Sequence, residues 1–154
     1  MADYVWDESL ETGDPLVDQQ HRNIHQIVAD AEACACEPDA LLRILDRLMV
    51  HVDCHFATEE DLMARSGFSG ADAEEHVIEH RELTATAREI VLKVRSGELT
   101  DSAPVIEFLR DWLRTHVHER DRVLVEFVRS RSEVHARLPE PWASHPPQLS
   151  GSAA

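Results

Sequence analysis

Apolar residues recur along this chain at intervals of three and four, the period of an α-helix that turns one face toward a core. The recurrence falls into four runs. Val17, His21, Ile24, Val28 and Ala31 mark the first face, with Asp18 placed to cap its start and Glu37-Pro38 to stop it. Asp39 is placed to cap the second run. There Leu42, Leu45, Leu48 or Met49, Val52, His55 or Phe56, Glu59 and Leu62 or Met63 continue one stripe until Gly67 and Gly70. The third run, about 71–95, turns Ala73, His76, His80, Leu83, Ala87, Ile90 or Val91 and Val94 inward and stops at Ser96-Gly97. The fourth begins after Asp101 or Ser102, with Pro104 in its first turn, and carries Val105, Leu109, Trp112, His116, Leu124 and Val128.

The flanks lack this period. Residues 1–17 contain Gly13-Asp14-Pro15 and read as an extended arm with Trp6 as its packing anchor. After Leu138 come Pro139, Pro141, Pro146 and Pro147 among Ser, Gly and Ala, so 139–154 is expected to be a flexible tail. Short connections force consecutive helices to lie antiparallel. The expected fold is therefore all-α: an up-down-up-down antiparallel four-helix bundle with an N-terminal arm, one domain over 1–138.

Composition agrees with helices, because 5 glycines and 5% aromatics in 154 residues are few for a turn-rich sheet protein. A net charge of −15 argues against nucleic acid and anionic membrane surfaces as partners. No stretch approaches the roughly 20 apolar residues that span a bilayer. The first residues are acidic where an export signal needs a basic flank, so a cytoplasmic protein is expected. Cys34, Cys36 and Cys54 are an odd count in such a chain, expected as small buried or half-buried hydrophobes and not as disulfides. Cys34-x-Cys36 also lacks the spacing of a zinc site.

Histidine changes the picture. There are 10, several of them within apolar stripes. All four runs place at least one metal-capable side chain on the inward face, and two runs place pairs: His55 with Glu59, and His76 with His80. A separation of four puts both members on one face a turn apart, within reach of a common ion or ion pair. Buried carboxylates and imidazoles carry a desolvation penalty of several kcal/mol unless a cation compensates them. A single histidine on an apolar face is more often an ordinary core residue. Metal-capable residues on every helix of one bundle are not explained that way.

Asp18-Gln19-Gln20-His21, His55-Phe56-x-x-Glu59-Glu60, Leu62-Met63, His76-x-x-x-His80 and Trp112-Leu113-x-x-His116-x-x-x-x-Asp121 resemble, in order and spacing, the signature of the hemerythrins and bacteriohemerythrins. The resemblance runs from Trp6 to about Val128, and Trp6 and Thr12-Gly13 suit that family's arm. It implies two non-haem iron ions, one held by His76, His80 and His116 and the other by His21 and His55. Glu59, Asp121 and an oxo or hydroxo group would bridge them. The iron with two histidines would keep an open position for reversible binding of molecular oxygen. Ile24, Phe56, Trp112, Leu113 and Val117 would wall the oxygen pocket. The implied function is oxygen storage, delivery or sensing by a binding protein, expected as a monomer. The alternative is a di-iron peroxidase or ferrous-iron oxidase. Ferritin-like carboxylate sites use more glutamate and paired Glu-x-x-His motifs, which this chain lacks.

Three positions complicate the match. His25 lies one turn beyond His21 where the family usually has an apolar residue, so it either tunes the pocket or packs as an ordinary half-exposed histidine. His51, His135 and His145 are read as nonligands. His118 competes with His116, since three residues before Asp121 is a natural helical spacing and five is not. Five residues leave His116 and Asp121 about 140° apart on a regular helix, so a local π-type bulge is expected between them. A straight helix with His118 at the metal would defeat the assignment. Glu60, adjacent to Glu59, is expected to be a solvated or supporting carboxylate.

Overall fold

The computed structural model describes residues 6–33 and 38–137. A short 3-10 turn, Glu8–Leu10, precedes α1 (Pro15–Ala33), α2 (Pro38–Ser66), α3 (Ala71–Arg95) and α4 (Ala103–His116). A five-residue π turn, Val117–Asp121, then leads directly into α5 (Arg122–Arg137), so the fourth helix of the bundle is a single rod interrupted by one wide turn. Ion pairs at one end show the alternation of direction. Arg47 from the start of α2 and Arg110 from the start of α4 reach Asp30 and Glu32 near the end of α1, while Arg95 at the end of α3 reaches Asp46 of α2. The four-helix bundle expected from the periodicity is the fold observed. Among the described residues no strand is present, and no helix is long and apolar enough to cross a membrane.

The stripes set the inward faces, with small corrections. Leu41 is buried on α2 where Leu42 was expected, and Leu42 is half-buried; Met63 is the buried member of the Leu62-Met63 pair. Helix α3 starts and stops as expected. At the start of α4, Asp101 Oδ1 accepts the Ala103 N–H at 3.0 Å, so Asp101 takes the capping role and not Ser102. Helix α2 ends where Gly67, at φ +76°, and Phe68 both donate their N–H groups to the Met63 carbonyl.

The largest departure is at the N-terminus of α1. The helix begins at Pro15, and Asp14 is its cap: Asp14 Oδ1 accepts the Leu16 and Val17 N–H groups at 3.0 Å each. Asp18 lies inside the helix and turns back toward the arm, accepting from Thr12 N (2.8 Å), Thr12 Oγ1 (2.7 Å) and Gly13 N (3.1 Å). The arm is thus shorter than the expected 1–17 and is fastened to the bundle by a buried carboxylate. Trp6 supports it too, meeting the His25 ring edge-on at 5.4 Å beneath the Arg22 guanidinium. Cys54 is exposed, contrary to expectation, because it faces away from the Val52–His55–Phe56 stripe. Cys34, Cys36, His145 and the proposed tail at 139–154 lie outside the described residues.

The apolar core fills one end of the bundle with Ile24, Ile27, Val28, Leu41, Leu45, Leu48, Leu83, Val91, Val94, Val105, Ile106 and Leu109. One turn or more beyond Asp121 in the other direction, Leu124 and Val125 are buried again, as are Val17 and Met63 beyond His21 and Glu59. Between these two apolar regions the inward positions are polar.

Candidate metal centre

Seven side chains occupy that polar layer: His21 from α1, His55 and Glu59 from α2, His76 and His80 from α3, His116 from the end of α4 and Asp121 from the π turn. None is more than 3% exposed. Their ligand atoms form two overlapping groups. One contains Glu59, His76, His80, His116 and Asp121; the other contains His21, His55, Glu59 and Asp121; in each group all ligand atoms lie within 4.8 Å of one another. Glu59 and Asp121 belong to both.

Local helix geometry produces the convergence. His55 with Glu59 and His76 with His80 are one turn apart on straight helices. His116 and Asp121 are brought to the same face by the π turn, which widens the helix by one residue between them. His118 is exposed on this turn, so the irregularity expected from the five-residue gap is present and the competing histidine points away. His51 is half-buried and outside both groups.

The inward nitrogens stand close to carboxylate oxygens: His76 Nε2 is 3.2 Å from Glu59 Oε2 and 3.1 Å from Asp121 Oδ1, His80 Nε2 3.1 Å from Glu59 Oε2, His116 Nε2 3.1 Å from Asp121 Oδ1, and His21 Nε2 2.8 Å from Asp121 Oδ2. His55 Nε2 is farther from both carboxylates, at 3.6 and 3.7 Å, and 3.0 Å from His21 Nε2. Atoms that each sit about 2.1 Å from a common cation, at right angles across it, are separated by roughly 3 Å. The layer has the dimensions of a ligand shell.

Proton positions support the same fit. Thr58 Oγ1 donates to the Cys54 carbonyl and so accepts from Gln20 Nε2, which leaves Gln20 Oε1 to accept from His55 Nδ1 at 3.0 Å. Glu60 Oε1 accepts from His80 Nδ1 at 3.2 Å, and Glu79 Oε2 accepts from His116 Nδ1 at 2.7 Å. Each of these three imidazoles thus aims its Nε2 into the layer, with Nδ1 turned outward to its partner. On His80, whose basicity burial and then His76 bring down to about 2, Nε2 carries a lone pair that faces a carboxylate oxygen and repels it unless a cation lies between them. For His116 burial acts downward, but Asp121 outweighs it and raises the imidazole. Glu59 Oε1, both Asp121 oxygens and His116 Nε2 are buried without hydrogen-bond partners. The donor set, imidazole nitrogen and carboxylate oxygen with no thiolate, suits non-haem iron.

Titration of the metal-free chain reflects the same frustration. Burial, and then the charge of Asp121, push the Glu59 carboxyl well above the usual range. Burial and the neighbouring His76 and His116 bring His80 down to about 2. For Glu79, burial acts upward but is outweighed by hydrogen bonds from Arg120 and His116, so its carboxyl is lowered.

Sequence reasoning had reached Glu60 but not Gln20, Glu79 or Arg120. Gln20, Glu60 and Glu79 follow one rule: each is the chain neighbour of a proposed ligand on its own helix and supports a ligand on the next. Gln20 beside His21 reaches His55, Glu60 beside Glu59 reaches His80, and Glu79 beside His80 reaches His116. Neighbouring residues lie about 100° apart around a helix, so one faces the layer while the other faces the adjacent helix. Arg120, beside Asp121, holds Glu79 through Nε at 2.7 Å and Glu75 at 2.9 Å.

The model of the Hemerythrin HHE cation binding domain matches residues 12–128. The chain belongs to the hemerythrin family. Among its relatives are the bacteriohemerythrins of Stenotrophomonas maltophilia, 27% identical over 140 residues covering 89% of each chain, and of Pseudomonas aeruginosa, 30% identical over 139 residues covering 87% of this chain and 88% of that one. The myohemerythrin of Riftia pachyptila is 32% identical over 114 residues, 74% of this chain and 84% of that one. A wild-type hemerythrin crystal structure superposes with a TM-score of 0.74 at 27% identity, covering 82% of this chain and 98% of the other. Oxygen binding at a non-haem di-iron site, the function that the resemblance implies, is the function of this chain.

Proposed function

We propose that His76, His80 and His116 hold one iron and His21 and His55 the other, that Glu59 and Asp121 bridge them, and that the chain binds molecular oxygen reversibly at the half with two histidines. The membership of Glu59 and Asp121 in both ligand groups carries this assignment, since only shared carboxylates make one layer serve two ions. Bound iron supplies the electrons and the coordination position that oxygen requires.

The surrounding residues keep that chemistry reversible by excluding water and fixing the imidazoles. Ile24, Phe56, Leu113 and Val117 are buried, and Trp112 is half-buried beside them. Phe56 stacks on His80 at 3.7 Å and Trp112 on His116 at 4.4 Å, so two aromatic faces seal the histidine rings against solvent. We assign these five residues to the oxygen pocket wall. His25 packs on Trp6 at the rim, and its low basicity, about 4 through burial and then the neighbouring His21, keeps a neutral imidazole there. A binding protein fits ligands this deeply buried better than an enzyme that must admit a second substrate.

The deciding experiment loads the chain anaerobically with ferrous iron, counts metal per chain and follows the visible spectrum as oxygen is admitted and removed. Two irons and a charge-transfer colour that appears and fades are expected. Irreversible ferric conversion, or turnover with peroxide, replaces binding by catalysis, and a chain that takes up no iron or only zinc sinks the reading.

A further inference from the structure

The two halves of the ligand layer differ in what stands behind the histidines. In the three-histidine half, His80 donates to the Glu60 carboxylate and His116 to the Glu79 carboxylate. In the two-histidine half, His55 donates to the neutral amide of Gln20, and the buried His21 Nδ1 has no partner. A carboxylate that takes the outer proton of an imidazole raises the electron density at its inner nitrogen; an amide does so less.

Glu79 is the better held of the two carboxylates. Glu60 is 46% exposed and contacts His80 at 3.2 Å, whereas Glu79 is 28% exposed, contacts His116 at 2.7 Å and receives Arg120 on its other oxygen. Arg120 is bound in turn by Glu75, one turn before Glu79 on α3. Because Arg120 sits in the π turn next to Asp121, the carboxylate that aims His116 also fastens to α3 the turn that presents Asp121. His76 Nδ1 lacks a partner, so the stronger donation in this half comes through His80 and His116.

On the ligand assignment above, we propose that Glu79 is a positioning residue. Clamped by Arg120, it fixes His116 as an Nε2 donor and the register of Asp121, and makes the three-histidine half the tighter and more electron-rich of the two iron sites.

The test uses the full chain loaded anaerobically with two ferrous ions and titrated with a ferrous chelator, for the wild type, Glu79→Gln and Gln20→Glu. The wild type is expected to release its irons in two steps, the two-histidine half first. Glu79→Gln keeps size and loses charge; it is expected to weaken the tighter site by about 10–100-fold, merging the steps. It should also raise the midpoint potential of the iron pair, a readout that a merely structural role would not move in step with one site. Gln20→Glu places a carboxylate behind His55 and is expected to tighten the weaker site by a comparable factor. Thermal melts of the metal-free proteins check folding, and if Glu79→Gln does not fold, Gln20→Glu decides. Release in one unresolved step by the wild type, or wild-type release profiles and potentials in the variants, overturns the ranking. A wild-type chain that holds fewer than two irons overturns instead the ligand assignment on which the ranking rests.

Discussion

The apolar core and the polar layer of this bundle use the same helical positions in opposite ways. Toward the start of α2 and the end of α3, inward positions hold Leu41, Leu45, Leu48, Val91 and Val94; a few turns away on the same stripes they hold His55, Glu59, His76 and His80. Burying a leucine or valine side chain contributes roughly 1.5–3 kcal/mol to folding, so the apolar end supports itself. Burying a carboxylate costs several kcal/mol that packing cannot return. The polar layer is held in place by the apolar end, and its own compensation comes from what it binds. Stability and function therefore separate along the bundle axis.

Changing Glu59 separates the two regions most strongly. Burial already drives its carboxyl toward the neutral acid in the metal-free chain, so Glu59→Gln replaces it with a neutral group of the same shape. Metal-free stability near neutral pH is expected to rise by roughly a few kcal/mol, because the variant no longer has to take up a proton on burial. Iron binding should be lost, because both ligand groups depend on Glu59. Metal analysis alongside urea melts of the metal-free protein measures both, and a large loss of metal-free stability would show that the polar layer supports the fold by itself. Leu45→Ala is the opposite change. It is expected to cost about 2–5 kcal/mol in the metal-free and iron-loaded states alike, as read from the same melts, while two irons still bind.

His25 sharpens the contrast through pH. Its folded value is about 4 against an ordinary 6.5, owing first to burial and then to His21. A depressed base binds its proton more readily in the unfolded chain, so its contribution is fully present above pH 6.5 and declines as the pH falls toward 4. Between pH 7.5 and pH 5 that loss is expected to be about 2 kcal/mol. His25→Phe keeps a ring against Trp6 and removes the proton, so the stability difference between variant and wild type should change by that amount across the interval. Subtraction cancels the other titrating groups, and a pH-independent difference would remove His25 from the account. Leu45→Ala should give no such dependence.

What could be read from the sequence divides along similar lines. A stripe of period 3.6 states which residues face inward, and this located the four helices and the polar layer together, since His21, Glu59, His76 and His80 stand where the period demands an apolar residue. The five-residue gap from His116 to Asp121 even carried the π turn, because a regular helix cannot align those two positions. Periodicity does not state which helix lies beside which face. Gln20, Glu79 and Arg120 were therefore invisible: each acts across a helix interface, one position off the stripe. Glu60 was reached only as a carboxylate too close in sequence to face the same point as Glu59. Cys54 failed for the related reason that a small apolar side chain says nothing about its face.

Helix starts are the remaining gap, and the smallest expected effect tests them. Asp14 and Asp18 are both acidic residues near the first turn of α1, and composition does not rank them as caps. The structure separates their roles: Asp14 Oδ1 accepts from Leu16 and Val17, while Asp18 accepts from Thr12 and Gly13 of the arm. Asp14→Ala is expected to cost about 1 kcal/mol, the usual loss for an N-cap, in both metal states. Iron stoichiometry should not change, because His21 lies two turns further along a helix that the arm and Asp18 still hold. Urea melts with and without iron measure this directly. A larger loss in the iron-loaded state would mean that the helix start is mechanically coupled to the polar layer, and the separation of stability from function along the axis would then end at α1.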